Sequence, residues 1–248
     1  MFAIILLSLL SFLSCATIAD VRQTASLITL NELITRCKST KECETVAMTV
    51  TGTGTRIIWE DEYYWLTAGH VCAAGESMGH ASLMKIITFT VGGTRDIEVT
   101  KTVTYSLNDD LCVARAKKGP ARRIAPNEPD LSSRVTAIAY PRGIFDHRSL
   151  PVYDGRWSGY SENKCAVTIP VVGGSSGAGV INEKGQLVGV IEAVVKDFNH
   201  LTIVSCTREI NEFLITATER LKSAEALELR TSAFQFEENQ SIDPSAKQ

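Results

Sequence analysis

Ser176 lies in Gly173-Gly174-Ser175-Ser176-Gly177-Ala178-Gly179, a glycine-rich turn between two runs of strand-forming residues. Glycine has no Cβ, so backbone N–H groups can converge on one point and a ligand can approach closely. That arrangement suits acyl transfer: an exposed hydroxyl attacks, and the N–H groups of Gly174 and Ser176 receive the negative charge that develops on the attacked carbonyl oxygen. A serine hydroxyl is a weak nucleophile near neutral pH and needs a base oriented by a carboxylate. Of the four histidines, His70 ends Trp65-Leu66-Thr67-Ala68-Gly69-His70, where an apolar strand meets a turn of small residues. His80, His147 and His200 lie in polar or mixed surroundings. Asp109 and Asp110 precede the apolar run Leu111-Cys112-Val113-Ala114, which puts a carboxylate at a strand entrance. Taken singly, each feature has an ordinary reading. Glycine and serine clusters form loops, a lone histidine ends a turn, and Asn108-Asp109-Asp110 is common turn chemistry.

The elements that must position these groups read mostly as strands. Val46, Met48 and Val50 alternate with Ala47, Thr49 and Thr51, and the glycines at 52 and 54 predict a bend. Further strands are predicted over 56–59, 63–67, 86–91, 97–105 and 111–116, and again over 135–140, 155–160, 166–169, 187–195 and 201–205. Pro120, Pro126 and Pro129, set among charges, mark the connection between the two halves. Leu27 to Ile34 has mixed periodicity and reads as a short helix in an N-terminal extension. Ile210, Phe213, Leu214, Ala217, Leu221 and Ala224 recur at helical spacing, with Thr207 as the expected N-cap, and the polar stretch after residue 230 reads as a disordered tail.

The expected organisation is therefore a signal peptide (1–19), an N-terminal extension (20–45), a first β-barrel (46–122), a linker (123–133), a second β-barrel (134–207), a C-terminal helix (208–230) and a tail (231–248). The apolar run from Met1 to Cys15 is short for a membrane span, and Thr17-Ile18-Ala19 fits a small-x-small cleavage site, although no Lys or Arg stands near Met1. This predicts a secreted or periplasmic protein with no stable membrane span once the signal is removed. Cys15 after Phe12-Leu13-Ser14 leaves lipoprotein anchoring as a second reading. Setting Cys15 aside, six cysteines remain of the 7, which allows up to three disulfides in an exported chain or six buried thiols. No C-x-x-C or His-Cys spacing points to a metal site. A net charge of -3 and a pI near 5.9 disfavour nucleic-acid binding.

Together the three sites resemble the trypsin-like serine proteases in order, spacing and local sequence. Thr67-Ala68-Gly69-His70 is similar to that family's histidine motif, Asp110-Leu111-Cys112-Val113-Ala114 to its aspartate strand, and Gly174-Ser175-Ser176-Gly177 to its serine motif. Thr53-Gly54-Thr55, Ala139-Tyr140-Pro141 and Gly185-Gln186-Leu187-Val188-Gly189-Val190 resemble the bacterial HtrA-like branch, without a PDZ domain. The resemblance covers about Val46 to Leu214. It implies an all-β, chymotrypsin-like fold of two six-stranded antiparallel barrels with a C-terminal α-helix and the active site between the barrels. His70 is then the base, Asp110 its orienter, Ser176 the nucleophile, and Gly174 and Ser176 the oxyanion donors. The substrate is a polypeptide and no cofactor is required. A catalytically silent relative that binds peptides or a partner protein is the alternative.

The same resemblance assigns substrate contacts to Ile169, Pro170, Ala193 and Val194. Thr168-Ile169-Pro170-Val171-Val172 carries no acid to pair with a basic side chain, so cleavage after small aliphatic residues is expected. Glu192 is the one nearby acid able to restore a preference for Lys or Arg. The family fold places Cys165 and Cys206 on adjacent strands. Cys37 with Cys43 is the expected local bridge, and Cys72 with Cys112 is the pair that remains. Ala178-Gly179 departs from the family's Gly-Pro. Ser175 departs from its Asp or Asn, so activity is not expected to depend on a newly cleaved N-terminus.

Overall fold

A computed structural model describes residues 22–39, 42–91, 97–100, 102–143, 150–161, 164–195 and 197–241. The signal peptide and Cys15 expectations, and His147, lie outside the described residues.

Eight strands build the first unit: β1 (Ala25–Ser39), β2 (Glu42–Trp59), β3 (Glu62–Ala68), β4 (Ala81–Val91), β5 (Ile97–Thr100), β6 (Thr104–Ser106), β7 (Leu111–Arg115) and β8 (Arg122–Arg123). They pair in the order β5-β4-β1-β2-β3-β7-β6, with β8 added beside β2, and the sheet curls as a half-barrel. The second unit is a closed barrel of six strands: β9 (Arg134–Ile138), β10 (Val152–Ser161), β11 (Lys164–Val167), β12 (Gly179–Asn182), β13 (Leu187–Val195) and β14 (Phe198–Cys206). Short helices α1 (Gly69–Cys72) and α2 (Ala74–Ser77) follow β3, and a long helix, α3 (Thr207–Ser241), closes the chain. The architecture is chymotrypsin-like.

Three local expectations change. The stretch read as a helical extension is β1, an inner strand paired with both β2 and β4. Its inward row is Ile28, Leu30, Glu32 and Ile34, all buried. Glu32 interrupts the apolar alternation and so hid the strand period; one of its carboxylate oxygens accepts the Gly75 N–H at 2.9 Å. Next, β2 runs unbroken through Gly52 and Gly54, where a bend was expected. These glycines serve close approach, because a Cβ on Gly52 would come within 2.8 Å of the Val71 side chain, and one on Gly54 within 2.9 Å of Ile28. Last, α3 continues to Ser241, into the stretch read as tail, and Thr207, expected as its N-cap, is its first helical residue, with its hydroxyl against Glu128 and the Val188 carbonyl. The glutamates, leucines and alanines beyond Leu221 favour helix, and the next proline is Pro244.

Each unit has its own core. Trp65 stacks on Phe89 at 5.4 Å inside the first, with the Arg56 guanidinium 4.4 Å over the Trp65 ring and paired with Glu98 at 2.8 Å. A third apolar cluster joins the units. Ile57, Leu66, Leu111 and Val113 of the first meet Leu187 and Val190 of the second, and Ile210, Phe213, Leu214, Ala217 and Leu221 of α3 close over them. The spacing of those five residues is the apolar stripe expected from sequence, although Ala224 is exposed. Disulfides join Cys37–Cys43, Cys72–Cys112 and Cys165–Cys206.

Candidate active site

His70 stands on α1, immediately after the buried strand β3. The residue before it has to be glycine, because a Cβ on Gly69 would lie 2.5 Å from the Ser106 carbonyl oxygen and 3.0 Å from Leu111 N, where the β6–β7 turn crosses. That crossing brings Asp110 to His70. One Asp110 oxygen accepts the His70 backbone N–H at 2.8 Å. The imidazole Nδ1 lies 2.8 Å from the other oxygen and 3.0 Å from the first. With the carboxylate accepting, Nδ1 carries the hydrogen and Nε2 is left with a lone pair. Asp110 itself is at φ 51°, a left-handed conformation that Asp tolerates better than most residues. The Cys72–Cys112 bond fastens the two elements together, each cysteine being two residues after one of the paired side chains.

The serine turn reaches this pair through the backbone. Thr53, on β2, donates its N–H to the Ser176 carbonyl at 2.8 Å and its hydroxyl to the Gly174 carbonyl at 2.8 Å. The same hydroxyl accepts the Tyr140 N–H at 2.9 Å, and the Thr53 carbonyl accepts the Thr67 hydroxyl at 2.8 Å. Thr53 thus ties the serine turn to the strand that delivers His70. Gly177 is wedged against that strand: a Cβ there would lie 2.8 Å from Ala68 N. Its φ of +86° and the +90° of Gly174 both favour glycine. Among the described residues no hydrogen bond joins the Ser176 hydroxyl to His70, and the N–H groups of Gly174 and Ser176 have no partner. Ser176 is half-buried, and the His70 side chain keeps 36% of its exposure against 18% for Asp110.

The departures from the family motifs have physical counterparts. Gly179 donates its N–H to the Thr55 hydroxyl at 2.7 Å, a bond that proline cannot make. Ser175 is 1% exposed, and its hydroxyl has no partner among the described residues.

Of the expected substrate contacts, Pro170, Ala193 and Val194 are exposed, whereas Ile169 is fully buried in the second barrel's core and closed to a ligand. Branched residues alternate inward along this part of the chain, and Ile169 falls on the inner side. Glu192 is engaged inside the protein: its carboxylate accepts from Lys164 Nζ at 2.8 Å and the Ser205 hydroxyl at 2.5 Å. Burial pushes its carboxyl above the usual range, and the Asp110 charge pushes the same way, against the pull of Lys164 and Ser205. Sequence reasoning missed Lys164 altogether and valued Thr53 only as part of a motif. The Gly-Thr-Gly setting is the one signal that marks Thr53.

The class of protein follows from two β units joined over a His-Asp pair and a glycine-cradled serine. The profile of the trypsin-like peptidase domain matches residues 52–190, more than half of the chain, and the chain belongs to that family. It is a serine endopeptidase by class. Among solved structures, the active form of the Rv3671c protease from M. tuberculosis is similar over 81% of this chain and 83% of its own, at 19% identity and a TM-score of 0.59. An HtrA-type protease, AlgW, solved with a decapeptide, is 15% identical over 81% of this chain and 66% of its own, with a TM-score of 0.61. The serine endoprotease from Yersinia pestis is 18% identical over 80% and 65%, with a TM-score of 0.55. At these identities the likeness concerns the fold. No curated protein matches the sequence significantly.

Proposed function

We propose that the chain is an exported endopeptidase that works through Ser176, His70 and Asp110. The Ser176 oxygen attacks a peptide carbonyl as His70 Nε2 takes its proton, so a C–O bond forms and the carbonyl oxygen becomes an oxyanion facing the N–H groups of Gly174 and Ser176. The C–N bond then breaks, the leaving amine takes the proton from His70, and water hydrolyses the acyl-enzyme by the same route in reverse. Asp110 holds the imidazole in the required tautomer throughout. The observation that carries this reading is the contact of both Asp110 oxygens with His70 Nδ1, beside a serine turn pinned to the same strand by Thr53. The three disulfides favour an extracytoplasmic site of action, and among the described residues no helix is long and apolar enough to cross a membrane.

The test is labelling by a fluorophosphonate, with the modified peptide identified by mass spectrometry. Label on Ser176, lost in Ser176→Ala together with peptide hydrolysis but without change in the melting curve, is the expected result. Turnover retained by Ser176→Ala refutes the nucleophile assignment. A folded wild-type chain that neither labels nor hydrolyses is the silent binding relative. Activity should be lost in acid, since protonated His70 cannot accept the serine proton. For substrate choice, the pairing of Glu192 with Lys164 removes the one nearby acid, and cleavage after Val or Ala is the expected outcome of peptide-library profiling.

A further inference from the structure

Lys164 opens β11 in the second unit, yet its ammonium reaches across to the first. It donates to the Asp109 carbonyl at 3.2 Å, one residue before Asp110. It also pairs with Glu192 of β13 at 2.8 Å and with Glu209 of α3 at 3.3 Å. We propose that Lys164 is a positioning residue that holds the Asp110 turn from the second barrel and neutralises Glu192, so that Asp110 alone presents negative charge to His70.

The inference rests on Asp110 being the orienter of His70, and the observations beside it are independent of that assignment. The Glu192 side chain is 8% exposed and lies near enough to Asp110 to feel its charge. A second unneutralised carboxylate beside Asp110 would add to the negative charge around the imidazole and favour its protonated form, in which Nε2 cannot act as a base. The Lys164 ammonium, 2.8 Å from the Glu192 carboxylate, offsets that second charge. The groups facing the cluster can be named element by element: Asp109 and Asp110 from the β6–β7 turn, His70 from α1, Ser205 from β14 and Glu209 from α3. Glu209 is held by accepting the Cys206 N–H at 2.8 Å, a first-turn cap of α3. Glu128 of the linker is directed instead to the Thr207 hydroxyl and the Arg208 N–H. Burial, the largest influence on Lys164, works against its charge, but its contacts with Glu192 and Glu209 outweigh it and hold the amine protonated.

The test compares Lys164→Met, Glu192→Gln and the double variant in the full-length chain, reading the pH profile of peptide hydrolysis. Glu192→Gln removes one negative charge from the cluster and leaves Lys164 paired with Glu209 alone, so the acid limb should move to lower pH by about half a unit. Lys164→Met leaves the opposite imbalance and should move it upward by about as much, with a fall in kcat and little change in KM. The double variant should return the midpoint to the wild-type position. A merely structural role for Lys164 does not predict shifts of opposite sign that cancel. Midpoints unmoved in both single variants, or moved in the same direction, overturn the proposal. If Lys164→Met does not fold, Glu192→Gln and the double variant still decide. The same shifts are readable in the His70 ring proton resonances of Ser176→Ala variants, independently of turnover. Hydrolysis that survives Ser176→Ala sinks the nucleophile assignment, whereas an inactive Ser176→Ala with unmoved His70 titrations sinks this inference alone.

Discussion

Thr53 makes four hydrogen bonds around the serine turn and has no exposed surface. Replacing its hydroxyl by a methyl of similar shape removes the partner of the buried Tyr140 N–H and frees the Gly174 carbonyl, so Gly174, whose N–H is a proposed oxyanion donor, loses the tether on its C-terminal side. Thr53→Val is expected to lower kcat/KM by about 10- to 100-fold, less than the roughly 100- to 1000-fold for removing an oxyanion donor outright, and Thr53→Ser to restore most of it. Steady-state kinetics checks this, and equal defects in Val and Ser would mean that the methyl, not the hydroxyl, matters. Gly69 is constrained by space alone. Gly69→Ala drives a Cβ into the Ser106 carbonyl, and reduced thermal stability together with weakened His70–Asp110 geometry is the expected result of calorimetry and activity assays.

At the scale of elements, α3 decides how the two units meet. Its apolar face fills the cluster that both units share, with Leu214 fully buried, and the truncation Leu214→Ala should cost about 2–5 kcal/mol in denaturant unfolding. On its exposed edge Arg115 of β7 bridges Glu62 of β3 and Glu225 of α3, and Lys222 of α3 reaches Glu62 at 3.2 Å. These pairs lie at the surface and mainly fix the helix register. Removing the helix before Ile210 would expose Leu66, Leu111 and Val190 at the junction on which the site depends. The β1–β2 hairpin behaves differently: its tip is closed by Cys37–Cys43 and its base packs Ala25 against Ile138, Tyr140 and Leu150 of the second unit.

For the whole molecule, acid should loosen the fold in a defined window. The Tyr64 hydroxyl, followed by Arg115, holds the Glu62 carboxyl down at about 2 against an ordinary 4.5. A depressed carboxyl stabilises the fold fully above its unfolded value, and that contribution is lost as pH falls through the folded one. Glu76 and Asp154, also lowered, act in the same direction, the first through Tyr105 and the second through Arg134. Glu192, raised by burial, has the opposite sign and partly offsets them. Stability should therefore decline between about pH 5 and 2, and Glu62→Gln should flatten that slope in pH-dependent melting. Non-reducing peptide mapping should recover the three bridges. Loss of Cys165–Cys206, which ties β11 to β14 across 41 residues, should cost about 2–4 kcal/mol.

The sequence by itself determined the strand-rich fold class, the two halves and the apolar stripe of α3, and it pointed to the three residue types of the proposed site, because these are written in local periodicity, turn chemistry and short motifs. It misjudged β1, since an inward Glu32 breaks the alternation and only the Gly75 N–H across the core explains that residue. It read Gly52 and Gly54 as a bend, because a glycine needed for close approach looks the same in sequence as one needed for a turn. Ile169 and Glu192 were both assigned by position along a motif. Which way a side chain faces depends on barrel closure, and closure turned Ile169 into the core and Glu192 toward Lys164. Thr53 has partners more than a hundred residues away, at Gly174 and Ser176, and those of Lys164 lie up to 55 away. No local pattern encodes such contacts, and only the tertiary structure, by stacking the serine turn on β2 and the second barrel on the Asp110 turn, decided them.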